Sequence, residues 1–294
     1  MDQRTVAVVG LGLMGTAMAE RLLAAGYRVL LHNRTRAKAD LLIARGAIWS
    51  DDPMAHCRRA VISLYTTDTV REVLSCWSGD LRAGQIVIDT TTGDPEQTSR
   101  LGDWFAERGV HYLDAPISGS SEQTRRGEAT ALVGGSAEAF AQCRDLFDCL
   151  VQRAFYAGAC GSGAKMKLVA NLVLGLNRLA LAEGLVFASA IGLDPAAAFE
   201  VLRGTVAYSR TMDTKGRKML DRDFAPQARL AQHLKDVRLI LEAAGQAGLP
   251  LPLSTTHRQL LERAVGLGYG DADNSAVIQA LVTEWEQNDT KPSC

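Results

Sequence analysis

The chain has 294 residues, is 47% hydrophobic and 22% charged, and carries a formal net charge of −1. These are values of an ordinary globular protein; they exclude a disordered or low-complexity chain and leave no electrostatic footprint for nucleic acid. Six cysteines (Cys57, Cys76, Cys143, Cys149, Cys160, Cys294) form no CxxC pair and no Cys/His ligand spacing, which reads as reduced thiols, no metal site and a cytoplasmic location.

The length suggests about two domains. Thr5–Val9 is a short apolar, β-rich run, as expected of a buried parallel strand, and it starts too early to leave room for a signal peptide. Gly10, Gly12 and Gly15 follow at G-x-G-x-x-G spacing, with Leu11, Leu13 and Met14 between them. A helix-period segment, a stop at Gly26 and a second β-rich run, Arg28–His32, complete a strand–turn–helix–strand unit. In that context the glycines have separate tasks. Gly10 permits the tight turn, Gly12 lets backbone approach a pyrophosphate, and Gly15 lets the helix pack close to the sheet.

The end of the second run bears on which dinucleotide is held. An enzyme using NAD usually carries Asp or Glu there to accept bonds from the ribose hydroxyls. This chain has Asn33, Arg34, Thr35 and Arg36 instead. No carboxylate would repel a 2′-phosphate, and Arg34 offers a planar fork of donors for one, with Asn33 and Thr35 adding neutral hydrogen bonds. The expected cofactor is therefore NADP(H). The other reading, that the arginines only solvate the start of the next helix, places cations against the helix dipole.

Alternation continues with a helix at 36–45, a strand at 60–64, a helix at 68–76 and a strand at 85–89. A helix at 95–108 with Pro95 near its start, a strand at 110–114, and strands at 129–133 and 153–156 around a helix at 137–150 follow. This order predicts an α/β, Rossmann-type doubly wound domain over 1–163. After the run Gly158–Gly163 only helical periods remain, at 165–191, 195–204, 211–220, 229–247, 252–266 and 275–287. They predict an all-α domain over 164–294 that begins with a long helix, 164–192. That helix is apolar, but Asn171, Asn177, Arg178 and Glu183 would be costly in lipid. It reads as buried between domains or against a second subunit, so a homodimer or homotetramer without membrane is expected.

Two places could carry chemistry. Lys167 and Asn171 are spaced i,i+4 and share a helix face, where a lysine could protonate an oxygen while the amide fixes its position. Lys165 lies about 200° around the helix from Lys167, and spacing alone favours both lysines being solvated at a helix start. Ser118, Gly119 and Ser120, directly after a strand, offer hydroxyls and N–H groups for a carboxylate, or else form an ordinary Ser/Gly loop.

With these motifs in order, the chain resembles the β-hydroxyacid dehydrogenase family, which includes 3-hydroxyisobutyrate dehydrogenases, tartronate semialdehyde reductases and glyoxylate/succinic semialdehyde reductases. The resemblance runs through GLGLMG at 10–15, DTTTGDP at 89–95, DAPISGS at 114–120, GSGAKMKLVAN at 161–171 and HLKD at 233–236. It implies that Lys167 is the catalytic lysine, with Asn171 its partner, and that Ser118 and Gly119 bind the substrate carboxylate. It also implies that Leu64 and Thr92 line the cofactor and that Lys235 sits near the nicotinamide. The implied reaction interconverts a small β-hydroxy acid and its semialdehyde or oxo acid.

The chain departs from the family pattern at four places. Ser120 stands where a second glycine is usual, narrowing the backbone freedom expected at the carboxylate site. Ala170 replaces the first of two asparagines, Tyr65 follows Leu64 where Pro is common, and Thr91 replaces Ser. An imine reductase shares the architecture but usually carries Asp or Tyr in place of Lys167. A non-catalytic NADPH-binding scaffold would be expected to lose that lysine.

Overall fold

The structure, a computed structural model, describes residues 4–282. It divides into two compact units, Met1–Lys167 and Leu168–Cys294.

The first unit is built on one sheet. β1 (Thr5–Val9), α1 (Leu13–Ala24), β2 (Arg28–His32), α2 (Asp40–Ile43) and β3 (Ile48–Trp49) are followed by β4 (Arg59–Ile62), α3 (Thr67–Ser75), β5 (Ile86–Asp89), α4 (Pro95–Ala106) and β6 (His111–Asp114). Then come β7 (Ile117–Ser118), α5 (Ser121–Arg126), β8 (Thr130–Gly134), α6 (Ala137–Gln142), α7 (Arg144–Leu150) and β9 (Arg153–Gly158). Spatial order is β3-β2-β1-β4-β5-β6-β8-β7, with β9 beside β8. The first six are parallel, β8 runs antiparallel to β6 and β7, and β9 is parallel to β8. The doubly wound sheet expected from the alternation is present, and its order reverses at β1/β4, the crevice where such sheets bind ligands.

Period-two alternation in β1 divides the core. Val6 and Val8 face a layer with Met18, Leu22 and Phe147, while Ala7 and Val9 face a layer with Leu74, Leu101 and Phe105. All are buried, so the strand reads as a continuous apolar run.

Helix α8 (Ser162–Ala190) is followed by α9 (Pro195–Arg203), α10 (Arg217–Leu220), α11 (Leu230–Gln246) and α12 (Pro252–Ala264). The second unit is helical, and its core gathers Leu181, Leu185, Phe199, Leu234, Val237 and Leu261. α8 is long and apolar enough to cross a bilayer by length and composition. It nevertheless buries Asn171, bonded to Asp236, and Arg178 inside the unit, and such groups are costly in lipid.

Several elements differ from expectation. The helix expected at 36–45 is a 3₁₀ turn, Arg36–Ala39, running into α2. The helix at 137–150 breaks at Cys143 into α6 and α7. The segment at 211–220 opens into a π turn over Met212–Gly216, where a Cβ on Gly216 would come 2.1 Å from Phe199 Cε2. β3 and β7 are two residues each, too short to show alternation. The helix expected at 275–287 starts as a 3₁₀ turn, Asn274–Val277, and is α-helical over 278–282; positions 283–287 lie outside the described residues, as does Cys294.

Candidate active site

The glycine loop shows why each glycine is where it is. Gly10 has φ +95°, and a Cβ there would sit 2.2 Å from Ser63 O. A Cβ on Gly15 would come 1.9 Å from Gly10 O, so α1 can lie this close to β1 only without a side chain. A Cβ on Gly12 would meet nothing within 4 Å. Gly12 is also the N-cap residue of α1, and no side chain caps that helix. Open space before an uncapped helix start is the shape and polarity a pyrophosphate requires, so the residues present fit a dinucleotide.

Leu11 and Asn33, both expected beside the cofactor, are tied to each other. Asn33 Oδ1 accepts Leu11 N–H at 2.9 Å and Asn33 Nδ2 donates to Thr35 O at 2.8 Å. The amide thus ties the glycine loop to the chain leaving β2, and Leu11 packs in the core. Leu13 is exposed and Met14 half-buried at the start of α1. Arg34 and Thr35 are exposed, and Arg36 lies over the Trp49 ring, 5.4 Å from its centroid. Of the two arginines, Arg34 is therefore the one not committed to the protein's own aromatic surface.

At the ends of β4 and β5 the departures from the family pattern are accommodated. Thr91 Oγ1 accepts Leu64 N–H at 3.1 Å, a bond a serine hydroxyl could equally make, and Thr91 N–H reaches Asp89 Oδ1 at 2.9 Å. Leu64 lies over the loop, with its Cδ2 2.9 Å from where a Gly10 Cβ would be. Thr92 is half-buried on the following residue, and Tyr65 is exposed.

Ser118, Gly119 and Ser120 do not form one loop. Ser118 ends β7. Gly119 has φ +148° and would place a Cβ 3.0 Å from Ala129 Cβ, so glycine is required there. Ser120 is the N-cap of α5 in a capping box: its Oγ accepts Gln123 N–H at 3.2 Å, and its own N–H donates to Gln123 Oε1 at 2.8 Å. At φ −82°, Ser120 is in a conformation any residue adopts, so the expected loss of backbone freedom does not arise. Its N–H is already used, but its hydroxyl keeps a proton to donate, so Ser120 stands with Ser118 and Gly119 as a candidate for a carboxylate.

Asp114, the first residue of the DAPISGS segment, ends β6. It fixes the start of α8. Oδ1 accepts Gly161 N–H at 2.9 Å and Oδ2 accepts Ala164 N–H at 2.8 Å. Gly134 and Gly163 make room for it: Cβ atoms there would come 2.4 Å from Asp114 Oδ1 and 2.5 Å from Asp114 O. Burial is the main influence on this carboxyl and pushes its pKa up to about 6, against the lowering effect of the Ala164 and Gly161 bonds; Asp89 adds to the rise. The only hint in the sequence is a lone acid ending an apolar strand.

One turn beyond Ala164, Lys167 is buried, whereas Lys165 is exposed. This resolves the ambiguity left by spacing: Lys165 is the solvated lysine and Lys167 is not. Asn171, also buried, shares its helix face and donates from Nδ2 to Asp236 Oδ2 at 2.9 Å. Lys235 Nζ lies 3.6 Å from Asp236 Oδ1. Among the described residues no group of three His, Cys, Asp or Glu side chains is disposed to hold a metal ion.

Comparison with known proteins gives the family. Residues 5–158 match the family model described as the NAD binding domain of 6-phosphogluconate dehydrogenase. Residues 161–281 match the model described as NAD-binding of NADP-dependent 3-hydroxyisobutyrate dehydrogenase. The chain is 34% identical to 2-hydroxy-3-oxopropionate reductase of Escherichia coli (strain K12), over 93% of this chain and 95% of that protein. It is 31% identical to glyoxylate/succinic semialdehyde reductase 1 of Arabidopsis thaliana, over 94% and 98%. A solved 3-hydroxyisobutyrate dehydrogenase from Salmonella typhimurium superposes with a TM-score of 0.86 at 25% identity, covering 94% of this chain and 99% of that one.

Proposed function

The chain belongs to the β-hydroxyacid dehydrogenase family, and from that premise we propose that it is an NADP(H)-dependent reductase of a small carboxylate-bearing carbonyl compound, run reversibly against the corresponding β-hydroxy acid. The observation that carries this reading is Lys167: buried, sharing a face with buried Asn171, on a helix whose first turn is held by Asp114. A lysine kept only for solubility has no reason to be withdrawn from water, since burying a charge is costly. The retained lysine also argues against the imine reductase and non-catalytic readings.

Gly12, Leu13 and Met14 at the open start of α1, with Leu11, would hold the cofactor, Gly10 and Gly15 shaping the loop and Asn33, Arg34 and Thr35 facing the 2′-phosphate. Leu64 and Thr92 would line it, and the family resemblance adds Lys235 of the second unit. When bound, the nicotinamide supplies or accepts the hydride. Ser118 and Gly119 orient the substrate carboxylate. In reduction, Lys167 Nζ gives a proton to the carbonyl oxygen as it becomes a hydroxyl; in oxidation the neutral amine takes it back. Asn171, fixed by Asp236, holds the reacting oxygen against the lysine. NADP rather than NAD is supported by Arg34, by the lack of a carboxylate at the end of β2 and by the description of the second family model.

Val169, Val173, Leu174 and Phe187 of α8, and Ile191 just after it, are exposed apolar residues. A homodimer that covers them is the proposed assembly, and light scattering after gel filtration measures it. The reaction is tested by following NADPH oxidation with glyoxylate, succinic semialdehyde, methylmalonate semialdehyde and tartronate semialdehyde, with NADH in parallel. Turnover of one or more with NADPH preferred is the expected result. No turnover of any, or a preference for NADH, would contradict the substrate class or the Arg34 assignment, respectively.

A further inference from the structure

Two turns beyond Asn171 on α8, the helical unit contains a buried cation that no part of the proposed reaction uses. Arg178 is 2% exposed, and its Nε and Nη1 have no hydrogen-bond partner among the described residues. His257 of α12 is 1% exposed, and its Nε2 likewise has none. The two interact electrostatically. His257 is also drawn close to α8 because residue 175 is glycine: a Cβ there would come 2.6 Å from His257 Cε1 and 2.8 Å from His233 Nε2.

The nearby charges do not cancel. Asp273, fully buried, is the carboxylate that attracts Arg178, yet its oxygens are already occupied. Lys215 Nζ donates to both, at 2.8 and 2.9 Å. Ser275 donates from N and Oγ to Oδ1, and the N–H groups of Gln227 and Ala228 to Oδ2. Among the described residues, Lys215 balances Asp273 and Arg178 is left over. Asp236, on α11 with His233, is engaged by Asn171 and Lys235. Arginine cannot escape by losing its proton under ordinary conditions, and a buried charge without a counter-charge is strongly unfavourable. A neutral His257, held so by burial and by Arg178, supplies a second donor in the tautomer that carries its proton on Nε2.

We infer that Arg178 and His257 form a buried binding site for a small inorganic monovalent anion of halide type, chloride being the physiological candidate. Both side chains are almost wholly buried, which favours a small ion over phosphate, nucleotides and substrate acids. The site is independent of the reductase chemistry proposed above.

Two experiments on the full-length protein test this. Thermal melts across 0–200 mM chloride, at ionic strength held constant with gluconate, should show a saturable rise of about 3 °C, as expected when a ligand of roughly 10 mM affinity binds only the folded state. Arg178→Met, which replaces the charge with an apolar chain of similar length, should fold in chloride-free buffer and lose that rise. Bromide-soaked crystals of the unmodified protein should show an anomalous peak between the Arg178 guanidinium and His257 Nε2. This second readout does not depend on how the variant folds. A flat chloride response, an equal response in Arg178→Met, or density for only water or for a carboxylate of a second copy at Arg178 would overturn the inference.

Discussion

Asp114 Oδ2 accepts the backbone N–H of Ala164 at 2.8 Å, joining the end of β6 to the first turn of the helix that carries Lys167. With the second bond, from Gly161 N–H to Oδ1, a single carboxylate sets where that helix begins. Its position and the lysine's are thereby linked, because Lys167 is three residues beyond Ala164.

This link carries a pH signature. The folded-state pKa of Asp114, about 6, lies above its ordinary value of 3.8. Between these values the folded chain holds a proton that the unfolded chain releases. The group's contribution to stability is therefore full below about pH 4 and lost as pH rises through about 6. Asp114→Asn lacks this dependence, so melts at pH 5 and pH 7 should show the wild type gaining on the variant at the lower pH. Activity should move the opposite way. Protonation removes one of the two acceptors, and turnover should fall below pH 6 with an inflection absent from Asp114→Asn. The variant's turnover at pH 7.5 should be down about tenfold or more, since small misplacements of a catalytic group are costly, with KM for NADPH little changed.

Lys167→Ala should lower kcat by about 10²–10⁴-fold, the range of general acid–base catalysis. NADPH binding, measured by fluorescence titration, should be retained. A variant that keeps more than about a tenth of wild-type turnover, well outside that range, would remove Lys167 from the chemistry.

The glycines of the first loop should separate by function. Gly15→Ala drives a Cβ against Gly10 O, and that backbone cannot yield cheaply; a loss of several kcal/mol, about 3 or more, is expected in denaturant melts. Gly12→Ala points into open space. It should fold with nearly wild-type stability while NADPH affinity drops, because the added methyl occupies the cofactor's approach.

Arg34→Ala should raise KM for NADPH by about 10–100-fold, the worth of a charge-assisted bond to a phosphate. NADH kinetics should be almost unaffected. An equal loss with both cofactors would place Arg34 elsewhere.

Ser120 offers a test of capping against substrate binding. Ser120→Ala should cost about 1 kcal/mol of stability, the usual worth of an N-cap hydroxyl, and Ser120→Gly only a few tenths. KM for the carbonyl substrate should shift little in either, with urea melts and steady-state kinetics as the two readouts.

Much of the molecule was legible in the chain itself. The Gly10, Gly12 and Gly15 spacing between two β-rich runs was enough for the doubly wound fold, because strand burial and helix packing there are set by residues adjacent in sequence. The change to purely helical periods after Gly163 separated the two architectures in the same way. Elements of two residues, such as β3 and β7, were invisible because no periodicity can be expressed in so short a run. Cys143 broke a helix that composition alone would have continued.

The roles of particular polar residues required the tertiary structure. Asn33 had the right chemistry for a 2′-phosphate, but that its amide also braces Leu11 to Thr35 is seen only in the fold. Ser120 had the right chemistry for a carboxylate, yet its N–H closes a capping box. Lys165 and Lys167 are equivalent by type and nearly so by position; only the packing around α8 buries one and exposes the other. Asp114 and Arg178 carried no local signal, since the groups that define them, Ala164 in one case and Asp273 in the other, lie 50 and 95 residues away in the sequence. Local pattern determines which elements form and which faces are apolar. Which donor meets which acceptor is decided only when distant segments are brought together, because a hydrogen bond depends on separations of a few tenths of an ångström.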